Sequence, residues 1–270
     1  MPKHRIANAF SKARSENRAA FVPYLTAGDP GLKWTLQYLD RLTEAGADII
    51  ELGVPFSDPI ADGPVNQRSS ERALKGGTTL SGILDAVAGK REDGYETPLV
   101  LFSYFNPIQR MGVDRFAGRA ARAGVDGVLI VDLPPEEAVE YRASLAAAGL
   151  DTVFLASPTT TDERLEAIAE ASTGFVYYVS RLGVTGTRSE LADSLEDDLA
   201  RARRKIAKPI AVGFGISTPD QAGAVAQIAD GVVVGSALVK LLDGANPEEN
   251  GVRLKGVAGD LFSALDRKEK

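Results

Sequence analysis

The sequence of 270 residues contains no cysteine, which excludes disulfide bonds, thiolate nucleophiles and thiolate metal ligands. Its only histidine, His4, stands beside Lys3 and Arg5 close to the beginning of the chain. One histidine far from other candidate ligands makes neither a metal site nor a Ser-His-Asp triad, so we expect His4 to be exposed. The sequence therefore disfavours both a metal-dependent reaction and a triad.

Long apolar runs and basic clusters are also lacking. No stretch approaches the roughly 20 apolar residues of a membrane-spanning helix, and the first residues lack the apolar core of a signal peptide. We therefore expect a cytoplasmic protein that does not enter a membrane. The net charge of −6 argues against nucleic acid as a partner, because phosphate backbones are bound by clustered lysine and arginine. No linker rich in serine, glycine or proline divides the chain, so residues 1–270 are expected to form a single domain.

Eight short apolar runs, rich in β-branched residues and bounded by glycine, aspartate or proline, recur along the whole chain. Near-continuous apolar runs of this length are typical of strands that are buried on both faces. We therefore predict eight buried strands. They begin at Phe21, Asp48, Pro98, Gly127, Asp151, Gly174, Pro209 and Gly231.

Helical periodicity separates these runs. Apolar residues follow a one-sided helical stripe in segments that begin near Leu32, Val113 and Leu165. Glycines that suit the left-handed position after a helix stand shortly before the next predicted strand, at Gly46, Gly124 and Gly149.

The alternation of eight strands with helices predicts an α/β fold, a closed (βα)8 TIM barrel with a short leading N-terminal helix. The main alternative is an open doubly wound sheet, which usually carries a Gly-rich dinucleotide fingerprint that this sequence lacks. Active sites of (βα)8 barrels lie at the carboxyl ends of the strands. The residues at those ends are therefore the candidates for catalysis.

Glu51 interrupts the apolar second strand close to its end. Burial disfavours the charged form of a carboxyl group and raises its pKa toward the range that suits general acid–base catalysis. The alternative is a structural ion pair between Glu51 and an arginine across the barrel. Glu51 is nevertheless our first candidate for a catalytic residue.

The segment after Glu51 reads LGVPFSDPIADGP and contains three prolines, so we predict a stiffened loop that is not helical. Such a loop suits the presentation of a carboxylate, Asp58 or Asp62, over a pocket. The alternative for Asp62 is a plain Asp-Gly turn with Gly63.

Three Gly-rich turns stand at the ends of the last three predicted strands. Glycine lets backbone N–H groups approach an anion closely, and the loops around strands seven and eight are the usual phosphate site of this fold. The alternative is that these glycines serve tight turns only. The turns read GVTGT from Gly183, GFGIS from Gly213 and GS from Gly235.

No lysine stands at the end of a predicted strand, which disfavours a Schiff-base mechanism. The polar groups that remain indicate proton transfer on an organic phosphate without metal, histidine or thiol. Tyrosines within barrel strands more often pack than react. The groups in question are Glu51, Asp62, Asn106, Asp132, Tyr24, Tyr104, Tyr177 and Tyr178.

In their order along the chain, these motifs resemble the α subunit of tryptophan synthase, the indole-3-glycerol-phosphate lyase. The resemblance extends from about Phe21 to Val239 and includes both acidic positions. It implies a carbon–carbon lyase that needs neither metal nor Schiff base and cleaves indole-3-glycerol phosphate to indole and glyceraldehyde 3-phosphate by a retro-aldol reaction. The motifs are FVPYLTAGDP, IELGVPFSDPIADGPVNQ, YFNPI, SRLGVTGTR, GFGIS and VVVGSALV.

The resemblance also implies roles for individual residues. Glu51 matches the general acid–base that protonates the indole carbon, Asp62 matches the carboxylate that binds the indole N–H, and Tyr177 matches an active-site tyrosine. The phosphate-binding positions correspond to Gly186, Gly215, Gly235 and Ser236. The indole pocket corresponds to Tyr24, Phe102, Leu129 and Phe214.

The same resemblance implies a partner. Indole passes to a β subunit that carries pyridoxal phosphate, in an α2β2 heterotetramer, while this chain itself is expected to hold no cofactor. Pro55, Phe56 and Asp58 match the loop that meets the partner, and Thr185 matches the loop that closes over the substrate. A long, Gly-containing segment after the sixth strand is compatible with such a lid.

Two other functions stay open on the sequence alone. A sugar-phosphate isomerase or epimerase needs a second acid–base group, which Asp132 could supply opposite Glu51. A non-enzymatic regulatory barrel would only activate a partner.

Overall fold

The eight predicted strands form a closed parallel barrel in the computed structural model, which describes residues 4–180, 188–213, 215–244 and 246–268. Each strand pairs with the next along the chain, and β8 pairs with β1, which confirms the (βα)8 TIM barrel. The strands are β1 (Ala20–Thr26), β2 (Ile50–Gly53), β3 (Leu99–Ser103), β4 (Gly127–Ile130), β5 (Asp151–Ala156), β6 (Val176–Val179), β7 (Ile210–Gly213) and β8 (Gly231–Val234).

Helices connect the strands on the outside of the barrel. Those predicted from apolar stripes are α2, α6 and α8, and the predicted glycines follow helices with positive φ angles of 100°, 83° and 73°. The helices are α1 (Arg5–Ser15), α2 (Leu32–Glu44), α3 (Pro64–Lys75), α4 (Leu80–Glu92), α5 (Phe105–Met111), α6 (Val113–Ala123), α7 (Val139–Ala147), α8 (Asp162–Ala171), α9 (Arg188–Arg203), α10 (Pro219–Ala226), α11 (Ser236–Val239) and α12 (Pro247–Ser263).

Burial on both faces explains the apolar composition of the strands. Every residue of β1, β2, β4, β7 and β8 is buried. Alternate strand residues belong to two separate apolar clusters, as expected where one face packs on the helices and the other fills the barrel. Val100, Leu129 and Val153 belong to the smaller cluster, inside the barrel.

The leading helix α1, which the sequence predicted, closes the amino end of the barrel. Its Phe10 ring lies 5.5 Å from the ring of Phe175, and Ile6 and Phe10 are buried. A Cβ atom at Gly231, where β8 begins, would lie 3.0 Å from the Phe10 ring, and one at Gly127 would lie 3.0 Å from Ile6. Glycine at these strand starts therefore makes room for α1.

A buried ion-pair group ties α1 to the barrel wall. The carboxylate of Asp126 accepts hydrogen bonds from Arg5 of α1 at 2.9 Å, from Arg91 of α4 at 2.8 Å and from the backbone N–H of Leu99 at 2.9 Å. Because both arginines share one carboxylate that β3 also holds, α1, α4 and β3 keep a fixed arrangement. His4, just before α1, is exposed as predicted.

The structure corrects one prediction about the loop after β2. The sequence predicts a segment that is not helical as far as its third proline, Pro64. In the structure, Pro64 is the first residue of α3. Proline is well tolerated there, because its missing N–H would have no intrahelical partner and its φ already suits a helix. Within the described ranges, no helix has both the length and the apolar composition needed to cross a membrane.

Replacement of Phe10 with alanine tests the structural role of α1. We expect Phe10→Ala to lower the free energy of unfolding by about 3 kcal/mol or more, because a buried aromatic ring is lost from a packed cluster. The fully folded variant should keep its activity, since Phe10 lies at the end of the barrel away from Glu51. Urea denaturation measures the first effect, and the exposed Val139→Ala variant, expected to change stability by less than about 0.5 kcal/mol, is the control. Equal stability of the two variants would contradict this role for α1.

Candidate active site

The carboxyl end of the barrel holds a cavity of about 220 Å³. It is lined from three adjacent strands by Tyr24 of β1, Glu51 of β2 and Phe102 of β3. Tyr177 lines it from β6. Asp62 reaches the same cavity from the loop between β2 and α3. The structure thus brings together both candidate carboxylates and three of the candidate aromatic residues.

Glu51 is buried in this cavity without a charged partner. Its side chain is 1% exposed, and its Oε1 atom has no hydrogen-bond partner among the described residues. Burial alone raises the pKa of Glu51 from 4.5 to about 8. The predicted alternative, an ion pair with an arginine, is therefore not observed in the described part of the chain. At neutral pH the Glu51 carboxyl group carries its proton.

Asp62 has a different environment. It is half-buried, and its Oδ2 atom accepts a hydrogen bond from the Tyr104 hydroxyl at 3.0 Å. Burial raises the pKa of Asp62, while hydrogen bonds from the Tyr104 and Asn66 side chains act in the opposite direction and favour the carboxylate. The side chain lines the cavity, so Asp62 does more than form a turn with Gly63.

Two glycines at strand ends make room for the tyrosine hydroxyls. A Cβ atom at Gly53 would lie 2.2 Å from the hydroxyl oxygen of Tyr24, and one at Gly213 would lie 2.2 Å from that of Tyr177. Burial raises the pKa of both tyrosines, so both hydroxyls stay protonated at neutral pH. The sequence did not reveal these pairings, because they depend on which strands are neighbours and in which register.

Only some of the residues predicted for the indole pocket form the apolar wall of the cavity. The rings of Tyr24 and Phe102 meet edge to face, with centroids 5.3 Å apart and an angle of 77°. Leu129 is fully buried inside the barrel beside Phe102 but does not border the cavity. Phe214 lies outside the described residues. Val65, Ile216 and Val233 also line the cavity and were not predicted.

Three of the four predicted phosphate-binding residues line the same cavity, namely Gly215, Gly235 and Ser236. Gly215 has a φ of 83°, a conformation that glycine adopts readily and that leaves its backbone open to a close ligand. The fourth residue, Gly186, lies outside the described residues, as does Thr185 of the predicted lid.

The predicted partner residues lie in the loop between β2 and α3 and do not line the cavity. Pro55 is buried, while the ring of Phe56 packs against that of Tyr104 with centroids 5.1 Å apart. Asp58 is exposed and accepts a hydrogen bond from Ser57 at 2.6 Å. Ile60 is 87% exposed, the largest exposed fraction among the large apolar side chains that the structure describes.

Asp132 does not share the cavity of Glu51. It is exposed, accepts a hydrogen bond from the backbone N–H of Phe105 at 2.8 Å, and lines a separate depression of about 490 Å³ beside β4 and β5. The acid–base pair required by the isomerase alternative is therefore not assembled. In the described part of the chain, no group of three or more His, Cys, Asp or Glu side chains could hold a metal ion.

Comparison with known proteins assigns the family. A family model described as tryptophan synthase alpha chain matches residues 10–263. The chain belongs to this family. The tryptophan synthase alpha chain of Burkholderia thailandensis is 49% identical over 262 residues, and that of Geotalea uraniireducens is 51% identical over 261, each alignment covering 97% of both chains.

Solved structures of the tryptophan synthase alpha chain family have the same fold. Tryptophan synthase subunit alpha from Legionella pneumophila str. Paris superposes with a TM-score of 0.89 at 37% identity, covering 97% of this chain and 98% of that one. A chain of tryptophan synthase from Mycobacterium tuberculosis gives a TM-score of 0.87 at 40% identity, covering 98% and 99%. Family membership makes this protein a lyase of tryptophan biosynthesis, and the isomerase and regulatory alternatives are not favoured.

The buried state of Glu51 predicts how stability depends on pH. The folded protein binds one more proton than the unfolded chain between the unfolded pKa of 4.5 and the folded pKa of about 8. The carboxyl group therefore lowers the free energy of unfolding as pH rises through this window. Glu51→Gln removes that titration, so we expect its stability relative to the parent protein to increase from about pH 5 to about pH 9.

Urea denaturation at both pH values measures this difference. The exposed Glu92→Gln variant is the matched control and should differ little from the parent at either pH, because water solvates that side chain in both states. A Glu51→Gln difference that stays constant with pH would show that Glu51 is ionised in the folded protein.

Proposed function

We propose that the chain cleaves indole-3-glycerol phosphate to indole and glyceraldehyde 3-phosphate by a retro-aldol reaction, with Glu51 as general acid and then general base. The observation that carries this proposal is the burial of Glu51 without a charged partner in a cavity that also contains Asp62. A proton donor with a pKa near 8 is well matched to proton transfer near neutral pH.

The first step transfers the Glu51 proton to the indole carbon that bears the glycerol phosphate. The ring nitrogen then carries positive charge, and Asp62, as a carboxylate beside the N–H, stabilises it. Glu51, now ionised, accepts the proton of the adjacent hydroxyl as the carbon–carbon bond breaks. The electrons of that bond return to the ring, which neutralises the nitrogen and releases indole, while the hydroxyl carbon becomes the aldehyde.

This sequence needs no cofactor in the chain, because the protonated indole ring itself receives the electrons of the broken bond. Other aldolases use a Schiff base with lysine or a metal ion to receive these electrons, and here the indole ring takes that role. The proton taken up by Glu51 in the second step restores the acid, so the residue is ready for another cycle.

The remaining residues bind and orient the substrate. Tyr177 lies close enough to Glu51 for the two to interact electrostatically, and its protonated hydroxyl offers a hydrogen-bond donor in the cavity. We assign the indole ring to the wall formed by Tyr24 and Phe102, while Leu129 lies behind Phe102 on the neighbouring strand. The phosphate is assigned to the backbone at Gly186, Gly215 and Gly235 and to Ser236.

A β subunit with pyridoxal phosphate is the proposed partner, in an α2β2 heterotetramer that receives indole. The loop that contains Pro55, Phe56 and Asp58 is the proposed contact surface, and the exposed Ile60 supports it, because an exposed apolar side chain suits a protein interface. Asp62 belongs to the same loop, so partner binding there would act on a catalytic group directly.

An assay of indole release tests the roles of the carboxylates. Glu51→Gln should lower kcat by about 10³-fold or more, because amide nitrogen cannot donate and regain the required proton, while glycerol phosphate still binds. Asp62→Asn should lower kcat by about 10²-fold through the lost negative charge. Asp132→Asn, at a neighbouring strand end outside the cavity, is the matched control and should keep near-normal activity. Normal turnover of Glu51→Gln would refute the proposed mechanism.

The same assay with an added β subunit tests the partner. Because the proposed contact loop includes Asp62, we expect the rate of indole release to change when the β subunit is added. An unchanged rate at saturating β subunit, together with separate elution of the two chains in size-exclusion chromatography, would contradict the proposed heterotetramer.

A further inference from the structure

Tyr104 lies where β3 ends and α5 begins, with its hydroxyl directed at the loop that contains Asp62. The side chain is buried, and its hydroxyl makes two hydrogen bonds. The oxygen accepts from the backbone N–H of Ala61 at 2.9 Å, and the hydroxyl donates to Oδ2 of Asp62 at 3.0 Å. Tyr104 thus contacts two consecutive residues of the loop.

The direction of these hydrogen bonds is fixed by the chemistry of the partners. A backbone N–H can only donate, so the phenol oxygen must accept from Ala61. An ionised carboxylate can only accept, so the single phenol proton of Tyr104 goes to Asp62. Burial, together with the charge of Asp62, raises the pKa of Tyr104, which keeps this proton in place.

The aromatic ring of Tyr104 is itself firmly held. The Phe56 ring packs against it at 5.1 Å with an angle of 32°, and the backbone carbonyl of Tyr104 accepts a hydrogen bond from the Ser103 hydroxyl at 2.8 Å. Phe56 and Asp62 both lie in the segment without helix or strand between β2 and α3, whereas Tyr104 is buried and directly follows β3. The hydroxyl of Tyr104 is therefore a fixed point on the barrel to which this irregular segment is bound.

We propose that Tyr104 is a positioning residue for the lyase reaction, whose hydroxyl holds the Asp62 carboxylate in the orientation that receives the indole N–H. This proposal rests on the role of Asp62 under Proposed function. A carboxylate has about four lone-pair sites on its two oxygens, so Asp62 can accept from Tyr104 and from the substrate at once. Without the hydroxyl, the carboxylate can rotate away from the substrate, and the developing charge loses its stabilisation.

Two side chains form hydrogen bonds with the Asp62 carboxylate, Asn66 of α3 and Tyr104, and Tyr104 supplies the bond that comes from the end of a barrel strand. The titratable groups that share the cavity with Asp62 are Tyr24 of β1, Glu51 of β2 and Tyr177 of β6, and Tyr104 contacts Asp62 from the end of β3. The Tyr24 hydroxyl forms a hydrogen bond with the Thr26 hydroxyl at 3.4 Å. Glu51 has a different proposed role, that of proton donor. Among these four titratable groups, Tyr104 is the one with a hydrogen bond to the Asp62 carboxylate.

Steady-state kinetics of Tyr104→Phe in the complete chain test the proposal. We expect kcat for indole release to fall about tenfold or more, because a hydrogen bond to a charged group is lost. KM should change by less than about threefold, since the phosphate contacts are elsewhere. The hydroxyl favours the Asp62 carboxylate, so its removal raises the pKa of Asp62, and the acidic limb of the kcat profile should move to higher pH.

Tyr141→Phe is the matched control. The Tyr141 hydroxyl is also buried but has no hydrogen-bond partner among the described residues, so this variant removes the same atom without breaking such a bond. Its kcat and pH profile should equal those of the parent protein. A second variant, Phe56→Leu, keeps the Tyr104 hydroxyl but loosens its ring, and should give a smaller loss of kcat with a shift in the same direction.

Asp62→Asn separates this proposal from the one on which it rests. If Asp62→Asn is inactive while Tyr104→Phe and Phe56→Leu keep the parent kcat and pH profile, the positioning role is overturned and the lyase mechanism stands. If Asp62→Asn keeps normal turnover, the proposed function itself fails. The positioning role is supported if Tyr104→Phe slows the parent protein but has no further effect in the Asp62→Asn background.

Discussion

The burial of Glu51 without a charged partner is the constraint on which the rest of the site depends. A carboxyl group at the end of β2 keeps its proton because the closed barrel removes water on every side, and the pKa therefore rises to about 8. The closure of the strands thus produces a proton donor from a residue type that is usually ionised.

The two carboxyl groups in the cavity suit the different tasks proposed for them because their surroundings differ. Glu51 has an apolar environment and no partner for Oε1, so it is neutral and can give a proton. Burial raises the pKa of Asp62 as well, but hydrogen bonds from Tyr104 and Asn66 oppose that rise and favour the carboxylate, which suits the stabilisation of a cation on the substrate. Separation of pKa values by environment is how one site supplies both an acid and an anion near neutral pH. Tyr104 links this difference to the fold, since the hydrogen bond to Asp62 comes from the end of a strand.

The sequence predicted the barrel well and the site in part. Apolar runs of strand length, separated by helical stripes, determine the order of elements, and Glu51 was conspicuous because it interrupts such a run. An Asp-Gly pair occurs both in plain turns and in catalytic loops. A role for Asp62 could therefore be predicted only from the structure or from a family resemblance. Pro64 was misread because the helix that it begins has little apolar periodicity. Tyr104 was not predicted to have a role in the site, since its hydrogen-bond partner Asp62 is 42 residues away in the sequence. The close approach of the Tyr24 hydroxyl to Gly53 depends on strand register.

Direct observation of the Glu51 proton tests the central claim of this account most closely. Infrared difference spectra between the parent protein and Glu51→Gln, recorded over a range of pH, report the carbonyl stretch of a protonated carboxyl group separately from carboxylate bands. The structure predicts a protonated carboxyl signal at neutral pH that disappears as pH rises through about 8. A difference spectrum that contains only carboxylate bands at neutral pH would contradict the account, because Glu51 would then have no proton to give.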